Sequence, residues 1–146
     1  MQKISPFFGG EMLHFIIYRS HTDLTPSDEA YRHIIDRARA RNLDLDITGF
    51  LHWEDGIFHQ WIEGPAAELS IVEQIILSDK NHRTITVLDR GHAPEREFEG
   101  WSMAASISED RSLFEFITRS AIPSFAQTAY ARNILSFMKQ QLPHFT

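Results

Sequence analysis

The chain has 146 residues, a length that suits one domain with a single sizeable core. Its net charge of −6 argues against a nucleic-acid-binding surface and against attachment to anionic membranes, and its lack of cysteine excludes disulfides and thiolate chemistry. No run approaches 18 apolar residues, and the first eleven residues lack an apolar stretch of signal-peptide length. We therefore expect a cytoplasmic protein that contacts neither nucleic acid nor membrane, with residues 1–11 as a flexible leader.

The first strand and the first helix are predicted from composition and spacing. Residues 12–18 are rich in β-branched and aromatic side chains, and both of their faces are largely apolar, which is typical of a central strand. A helix is favoured from Pro26, a residue that suits the first helical position, and apolar residues recur at helical spacing to about Arg41. We expect this helix to end at Asn42.

A β-hairpin follows, with strands over residues 47–54 and 57–63. Asp55-Gly56 between them is a dipeptide typical of a tight turn, because glycine tolerates positive φ. In the second strand, Gln60 has apolar neighbours two residues away on each side, so its amide is expected to point into an apolar environment. A buried amide without partners costs about 1–3 kcal/mol, and we therefore expect Gln60 to have dedicated hydrogen-bond partners.

The remaining elements continue the alternation of strands and helices. Gly64-Pro65 opens a second helix that closes at residues 79–82, and residues 84–88 predict a fourth strand. A fifth strand is expected around residues 101–103. Two further helices are expected at about 110–119 and 124–141, separated by Pro123.

The order β-α-β-β-α-β is that of the ferredoxin-like fold. We therefore predict an α+β protein with a five-stranded mixed sheet, two helices on one face and a C-terminal cap of two helices on the other. Strands 1 and 3 would be antiparallel neighbours at the centre, so that Tyr18 and Gln60 can meet. The expected division is a domain at 12–107 and a helical cap at 108–146.

Six short features occur together in this chain. They are Tyr18 at the end of strand 1, Asn42 after helix 1, ITG before the hairpin, Gln60 within it, EGP after it and WSM near strand 5. In this order and at this spacing, the set resembles the BLUF family, the blue-light sensors that use flavin. The resemblance runs from about Leu13 to Ser106, and the short length is similar to that of stand-alone BLUF proteins.

The resemblance implies a photoreceptor rather than an enzyme. Such a protein binds a flavin non-covalently, with FAD expected and FMN as the alternative. Light drives electron and proton transfer from a tyrosine to the flavin and rearranges the hydrogen bonds of a glutamine. The output then goes to an unidentified downstream signalling protein, and assembly into a homo-oligomer stays open.

The resemblance also implies roles for individual residues. Tyr18 matches the redox-active tyrosine, Gln60 the glutamine between that tyrosine and the flavin, and Asn42 an asparagine at the polar edge of the ring. Trp101 and Met103 match two residues that compete for the place beside the glutamine, and the choice between them stays open. The other matched positions are Ile34, Ala38 and Ile76, which sandwich the ring, and His82, near the flavin phosphate.

Two departures from the family pattern affect this assignment. Arg41 stands where the family often has asparagine, and it could still reach the flavin edge through charge-assisted bonds. The segment after helix 2 is Asp79-Lys80-Asn81-His82 instead of Asp-Pro-Arg-His, so that Lys80 or Arg83 would supply the charge for the phosphate tail.

Two alternatives of other classes remain. An acylphosphatase-type hydrolase of ferredoxin-like fold would use an arginine in the first loop, where Arg19 is expected, but strand 2 lacks the asparagine that this chemistry needs. A ligand-free interaction module would dock partners on its aromatic C-terminal helices. Taken singly, each matched residue is an ordinary core or helix-end residue, and only the set favours flavin binding.

Overall fold

The computed structural model describes residues 12–120 and 127–142, and within these ranges the chain forms five strands and four helices. Not one of the described helices is both long and apolar enough to cross a membrane. In chain order the elements are β1 (Leu13–His21), α1 (Glu29–Leu45), β2 (Thr48–Glu54), β3 (Ile57–Pro65), α2 (Ala66–Ser78), β4 (Arg83–His92), β5 (Ala104–Ile107), α3 (Leu113–Ser120) and α4 (Gln127–Gln141).

The five strands form one sheet in the order β4-β1-β3-β2-β5. The pairs β1–β3, β1–β4 and β2–β3 are antiparallel, whereas β5 runs parallel to β2. The predicted ferredoxin-like order and the predicted mixed sheet are therefore confirmed. The central position of β1 and β3 explains why both faces of these strands are apolar.

The register of β1 and β3 determines what each face of the sheet carries. Tyr18 lies opposite Gln60, and the next residues along, Arg19 and His59, also lie opposite each other. Because successive side chains point to opposite faces of a strand, these two pairs lie on opposite sides of the sheet. The α1–α2 side therefore receives the Tyr18–Gln60 pair.

Two hydrophobic cores cover the two faces, as predicted. The core on the α1–α2 side contains Ile16 and Tyr18 of β1 together with Tyr31 and Ile35 of α1. The core on the other side includes Ile17 of β1 and the buried residues of α3 and α4. The C-terminal helices thus cover a sheet face that would otherwise expose apolar side chains to water.

The hairpin turn and one of the glycines in the predicted motifs have clear steric reasons. Asp55 and Gly56 have φ values of 49° and 76°, the left-handed pair that a type I′ turn requires. At Gly49, a Cβ atom would lie 2.1 Å from the carbonyl oxygen of Trp61, so only glycine allows β2 to approach β3 this closely.

Some predicted boundaries were wrong. Helix α1 continues past Asn42 to Leu45 and ends where Asp46 adopts a left-handed φ of 59°, donating its N–H to the Asn42 carbonyl. Strand β5 begins only at Ala104, because the carbonyls of the three preceding residues, 101–103, bond to other groups outside the ladder. The predicted leader at 1–11 and the predicted helix residues 124–126 lie outside the described residues.

Candidate functional site

A cavity of about 660 Å³ opens between α1 and α2, with the sheet as its floor. A volume of this size is within the range of small-molecule and cofactor sites. Residues at helical spacing on α1 form one wall, so that a single face of that helix lines the cavity. The lining residues are Ile34, Arg37, Ala38 and Arg41 of α1, Ile75, Ile76 and Ser78 of α2, Asp79, Lys80, Asn81 and His82 after it, and Tyr18, Leu51, Phe58 and Gln60 of the sheet.

Tyr18 and Gln60 lie at the floor of this cavity, and together with Met103, which is buried behind the lining, they form a hydrogen-bonded chain. The Tyr18 hydroxyl donates to Oε1 of Gln60, and Nε2 of Gln60 donates to Sδ of Met103 over 3.5 Å. The three side chains are 5%, 4% and 1% exposed. The amide predicted to need partners therefore has a phenol on one side and a thioether, a weak acceptor, on the other. The bond to sulfur is the easier of the two to exchange.

Burial determines the protonation state of the Tyr18 phenol. Loss of hydration raises the pKa of Tyr18 above its ordinary value of 10; Arg41 opposes this shift and Asp79 adds to it. The phenol is therefore neutral at physiological pH and is available as a hydrogen-bond donor. Removing an electron from it would favour release of its proton to the neighbouring amide oxygen.

In this structure, Met103 and not Trp101 is the neighbour of the Gln60 amide. Met103 contacts the Gln60 amide and belongs to the core on the α1–α2 side. Trp101 is partly buried and packs against the core on the opposite side. Although they are only two residues apart on the chain, these two side chains pack against opposite faces of the sheet.

Two side chains of α1 hold the segment that carries Met103. Nδ2 of Asn42 donates to the Ser102 carbonyl over 2.8 Å, and Nε of Arg39 donates to the Met103 carbonyl over 2.9 Å. Asn42 is fully buried, and it is not among the residues that line the cavity. Its observed contacts thus position Met103, and its predicted contact with the polar edge of a flavin stays a prediction.

Arg41 lies in the cavity wall next to Asn42. Its Nε donates to Oδ1 of Asn42 over 3.3 Å, and burial lowers the pKa of its guanidinium from its usual value. The remaining guanidinium N–H groups are donors in a fixed planar arrangement, which suits carbonyl oxygens of a ring edge. Arg41 stands where the family often has asparagine, and it still places hydrogen-bond donors at this position of the cavity wall.

His82 lies in the cavity wall with both ring nitrogens engaged. Nε2 lies 2.8 Å from the Ile76 carbonyl, which can only accept, so this nitrogen carries the proton. Nδ1, 2.7 Å from the Ser20 hydroxyl, then accepts a hydrogen bond from it. Of the two cations proposed for the phosphate tail, Lys80 lines the cavity, whereas Arg83 pairs with Asp23 at 3.2 Å.

Sequence reasoning placed Ile34, Ala38 and Ile76 in the site, and all three line the cavity. It missed Arg37, which the spacing i+3 from Ile34 could have revealed. It also missed Arg39, because a contact with the Met103 carbonyl depends on tertiary packing. Arg19, on which the acylphosphatase-type alternative rests, lies inside β1 and on the opposite face of the sheet.

The donor set of the cavity fits a flavin. The ring of a flavin has a flat apolar body and an edge that carries both hydrogen-bond donors and acceptors. Ile34, Ala38 and Ile76 provide aliphatic surface for the body. Gln60 and Arg41 provide an amide and a guanidinium, which can match both kinds of edge atom.

Comparison with known proteins identifies the class. A model of the BLUF family, described as sensors of blue light using FAD, matches residues 13–104. This is more than half of the chain, and the chain therefore belongs to the BLUF family of flavin-binding blue-light sensors.

One curated protein of similar sequence belongs to the same class. The blue light- and temperature-regulated antirepressor BluF of Escherichia coli K12 is 32% identical over 87 residues. That match covers 60% of the chain but only 22% of the antirepressor, so the chain spans about a fifth of this relative's length.

Solved structures share the fold. The dark-state structure of BlrB, a BLUF protein, has a TM-score of 0.72 at 29% identity and covers 86% of this chain and 97% of its own. A structure described as BlrP1 BLUF has a TM-score of 0.64 at 30% identity, covering 87% and 90%. The photo-activated state of BlsA has a TM-score of 0.75, covering 92% and 100%, and at 21% identity this likeness shows the fold alone.

Proposed function

We propose that this chain senses blue light through FAD held non-covalently between α1 and α2, and signals to a partner protein. The observation that carries the proposal is the chain of hydrogen bonds that begins at Tyr18 and Gln60 in the cavity floor and continues to the buried Met103. It joins a neutral phenol, an amide with both donor and acceptor groups, and a weakly bound thioether. These are the parts that a light-driven hydrogen-bond switch requires.

In this mechanism the protein groups provide the proton and the two-state element. A bound flavin, once excited by blue light, supplies an electron and proton acceptor. Tyr18 would give up the electron, and its hydroxyl proton would pass to Oε1 of Gln60 while Nε2 of Gln60 releases one proton to the acceptor, so that Gln60 becomes a neutral tautomer and no charge stays on it in this buried place. Return of the electron and of one proton to Tyr18 would then restore the phenol. Gln60 then rotates or changes tautomer, which exchanges the donor and acceptor groups that face Tyr18 and Met103. Both arrangements are uncharged, so a small input of energy can change their populations.

The proposed cofactor contacts follow from the cavity walls. Ile34 and Ala38 of α1 and Ile76 of α2 would contact the two sides of the flat ring. The side-by-side groups of Arg41 and Asn42 would hold its polar edge. The remaining proposed contacts, with the phosphate tail, are those of His82 and Lys80. FAD is favoured over FMN by the description of the family, while one related structure, Klebsiella pneumoniae BlrP1, is described with FMN.

The signal is proposed to leave through β5. Met103 directly precedes β5, and a change at Gln60 would alter the contact of its amide with the Met103 sulfur. Ser106 of β5 lies 2.7 Å from Nδ1 of His52, whose Nε2 lies 2.9 Å from Oε1 of Glu54. Burial acts to raise the pKa of the Glu54 carboxyl, but the hydrogen bonds that it accepts from Ser112, His52 and the start of α3 outweigh this and lower it. Glu54 is therefore ionised and can only accept, and His52 donates to it from Nε2.

Glu54 in turn binds the start of α3. Its oxygens accept from the Ser112 hydroxyl and the Leu113 N–H, both at 2.6 Å, and from the Phe114 N–H at 3.3 Å. These are unpaired groups at a helix N-terminus, which a carboxylate satisfies by hydrogen bonding and by charge. A displacement of β5 would therefore reach α3 through side chains that are already in contact.

The output is proposed to be a protein rather than a reaction. The E. coli relative is described as an antirepressor, and a bacterial light-regulated adenylyl cyclase has a similar fold in 40% of its own chain. We propose that residues 12–107 form the sensing domain and that residues 108–146 present the output surface. A cytoplasmic location and the existence of a homo-oligomer stay predictions, which cell fractionation and light scattering would check.

Absorption spectra of the purified protein in the dark and after blue light test the function. We expect a yellow protein whose flavin band shifts to the red on illumination and returns in the dark, with FAD as the flavin released on denaturation. A protein that stays colourless after incubation with FAD and with FMN would contradict flavin sensing. Release of FMN alone would replace only the choice of cofactor, and hydrolysis of an acyl phosphate would favour the hydrolase alternative.

A further inference from the structure

A second cavity, of about 260 Å³, lies on the face of the sheet opposite the flavin site. Its floor includes Arg19 of β1, His59 of β3 and Glu54 of β2, and its cover includes Leu113 and Ile117 of α3 and Tyr130 of α4. An engineered apolar cavity of about 150 Å³ is known to hold benzene, so this space can hold a small aromatic molecule. None of these residues lines the flavin site.

His59 provides an unsatisfied polar group in this cavity. Its side chain lines the cavity, the residue is 7% exposed, and its Nδ1 has no hydrogen-bond partner in the part of the chain that the structure describes. Leaving such an atom unpaired costs about 1–3 kcal/mol, so a buried polar atom of this kind indicates a missing partner. Burial lowers the pKa of His59 to about 3, and the ring is therefore neutral at pH 7 and can donate from Nδ1.

The charges around His59 indicate the chemistry of the missing partner. Arg19 is the direct cross-strand neighbour of His59, so its guanidinium lies on the same face, within reach of the same ligand. Glu54 contributes a negative charge, but both of its oxygens already accept hydrogen bonds from His52 and from the start of α3. A ligand's anionic group would therefore lie at the Arg19–His59 end and its apolar part against Leu113 and Ile117.

We propose that this second cavity binds a small carboxylate with a compact apolar body, of about the size of benzoate. Its carboxylate accepts hydrogen bonds from Nδ1 of His59 and from the Arg19 guanidinium, and its apolar part packs beneath α3. This proposal does not depend on flavin binding, because the second cavity has its own lining residues and binding of the carboxylate to it is measured directly.

Calorimetric titration of the full chain in the dark tests the proposal, with benzoate as the probe and benzamide as its neutral isostere. We expect saturable binding of one benzoate per chain, with benzamide about tenfold weaker. His59→Phe removes the ring nitrogens at similar volume and should weaken benzoate binding by about tenfold or more. Ile117→Trp should fill the cavity and abolish binding of both probes.

A matched control is His14→Phe, which makes the same replacement on β1 beside α2, outside this cavity, and should leave benzoate binding unchanged. Near-ultraviolet circular dichroism verifies that each variant is folded. If His59→Phe does not fold, Arg19→Gln, at an exposed position, carries the same prediction. The proposal is overturned if benzoate shows no saturable binding, if benzamide binds equally well, or if folded His59→Phe and Ile117→Trp proteins bind benzoate as the unmodified chain does.

Discussion

The hydroxyl of Tyr18 is a single atom on which the proposed switch depends, so its removal is an informative test. Tyr18→Phe keeps the ring in the cavity floor and deletes the bond to Oε1 of Gln60. We expect the flavin to be retained and the light-induced spectral shift to be lost, with a change of about 0.5–1.5 kcal/mol in the free energy of unfolding. Difference absorption spectroscopy after blue light provides the measurement.

Tyr31→Phe is the matched control for this experiment. Tyr31 is also buried, and its hydroxyl has no hydrogen-bond partner among the described residues. Its removal should leave the light response intact. A Tyr18→Phe protein with a full light response would remove Tyr18 from the mechanism.

Asn42 connects the proposed flavin edge to the segment that carries Met103. Asn42→Ala removes the bonds to Ser102 and Arg41 and leaves the partly buried Ser102 carbonyl without this donor. We expect weaker flavin retention, an altered fine structure of the flavin band, and a loss of about 1–3 kcal/mol in the free energy of unfolding. Flavin titration and urea unfolding measure the two effects separately.

The corresponding deletion on another helix, Asn133→Ala on α4, should leave the flavin band unchanged. If Asn42→Ala lowers the free energy of unfolding but leaves the flavin affinity and the flavin spectrum as they are in the unmodified chain, Asn42 has a structural role only.

At the level of elements, β5 connects the flavin side of the sheet to the C-terminal helices. Met103→Ala removes the thioether that accepts a hydrogen bond from Gln60. We expect this variant to form the red-shifted flavin spectrum in the light, without a structural change in α3 and α4. Hydrogen exchange of residues 113–120 and 127–141 in dark and lit samples measures this. In the unmodified chain, light should increase exchange in these helices; in Met103→Ala the dark and lit patterns should coincide.

Trp101→Phe tests the neighbouring position, whose side chain packs on the opposite core, and it should preserve the light-dependent exchange. A Met103→Ala protein that keeps the light-dependent exchange pattern would show that the signal does not pass through Met103.

The N-terminus of α3 depends on a carboxylate from a strand. Glu54→Gln preserves shape but removes the negative charge that the Leu113 and Phe114 N–H groups contact. We expect α3 to lose about 1 kcal/mol of local stability and to exchange its amides faster in the dark. Hydrogen exchange resolved to α3 is the measurement.

Glu63→Gln is a matched control, since Glu63 is an equally buried carboxylate on β3 that binds Thr48, Trp61 and Phe98 but not α3. It should lower global stability without selective exchange in α3. Equal exchange in α3 for both variants would contradict a specific anchoring role of Glu54.

For the whole molecule, two buried histidines predict instability in mild acid. Burial lowers the pKa of His59 to about 3 and also lowers that of His52, although Glu54 opposes the shift at His52. The unfolded chain binds these protons near pH 6.5 and the folded chain does not. Their contribution to stability is therefore present above pH 6.5 and is lost as the pH falls toward 3.

Urea unfolding at pH 7.5 and pH 5.5 measures this dependence. Below about pH 6, His59 alone should lower the free energy of unfolding by about 1.4 kcal/mol per pH unit. His59→Gln should reduce the slope, whereas His33→Gln, at an exposed position on α1, should not. A pH-independent midpoint between these values would contradict neutral burial of His59.

Local chemistry was sufficient to predict most of the architecture. The order of strands and helices, the turn at Asp55-Gly56 and the two apolar faces of β1 depend on spacing and backbone preference, which the sequence carries directly. The ferredoxin-like order then made Tyr18 and Gln60 neighbours, and the observed register confirms this placement.

Tertiary packing decided what no local pattern contains. Whether Met103 or Trp101 contacts Gln60 depended on where β5 starts, and that depends on Asn42 and Arg39 of α1 binding the carbonyls before it. The capping of α3 by Glu54 and the unpaired nitrogen of His59 likewise arise from contacts between distant segments. The sequence by itself indicated which residues could form the proposed switch and that Tyr18 and Gln60 would be neighbours, because motif, alternation and strand order can be read from it. The structure decided the remaining contacts, such as that of Gln60 with Met103, because long-range hydrogen bonds depend on how the elements pack.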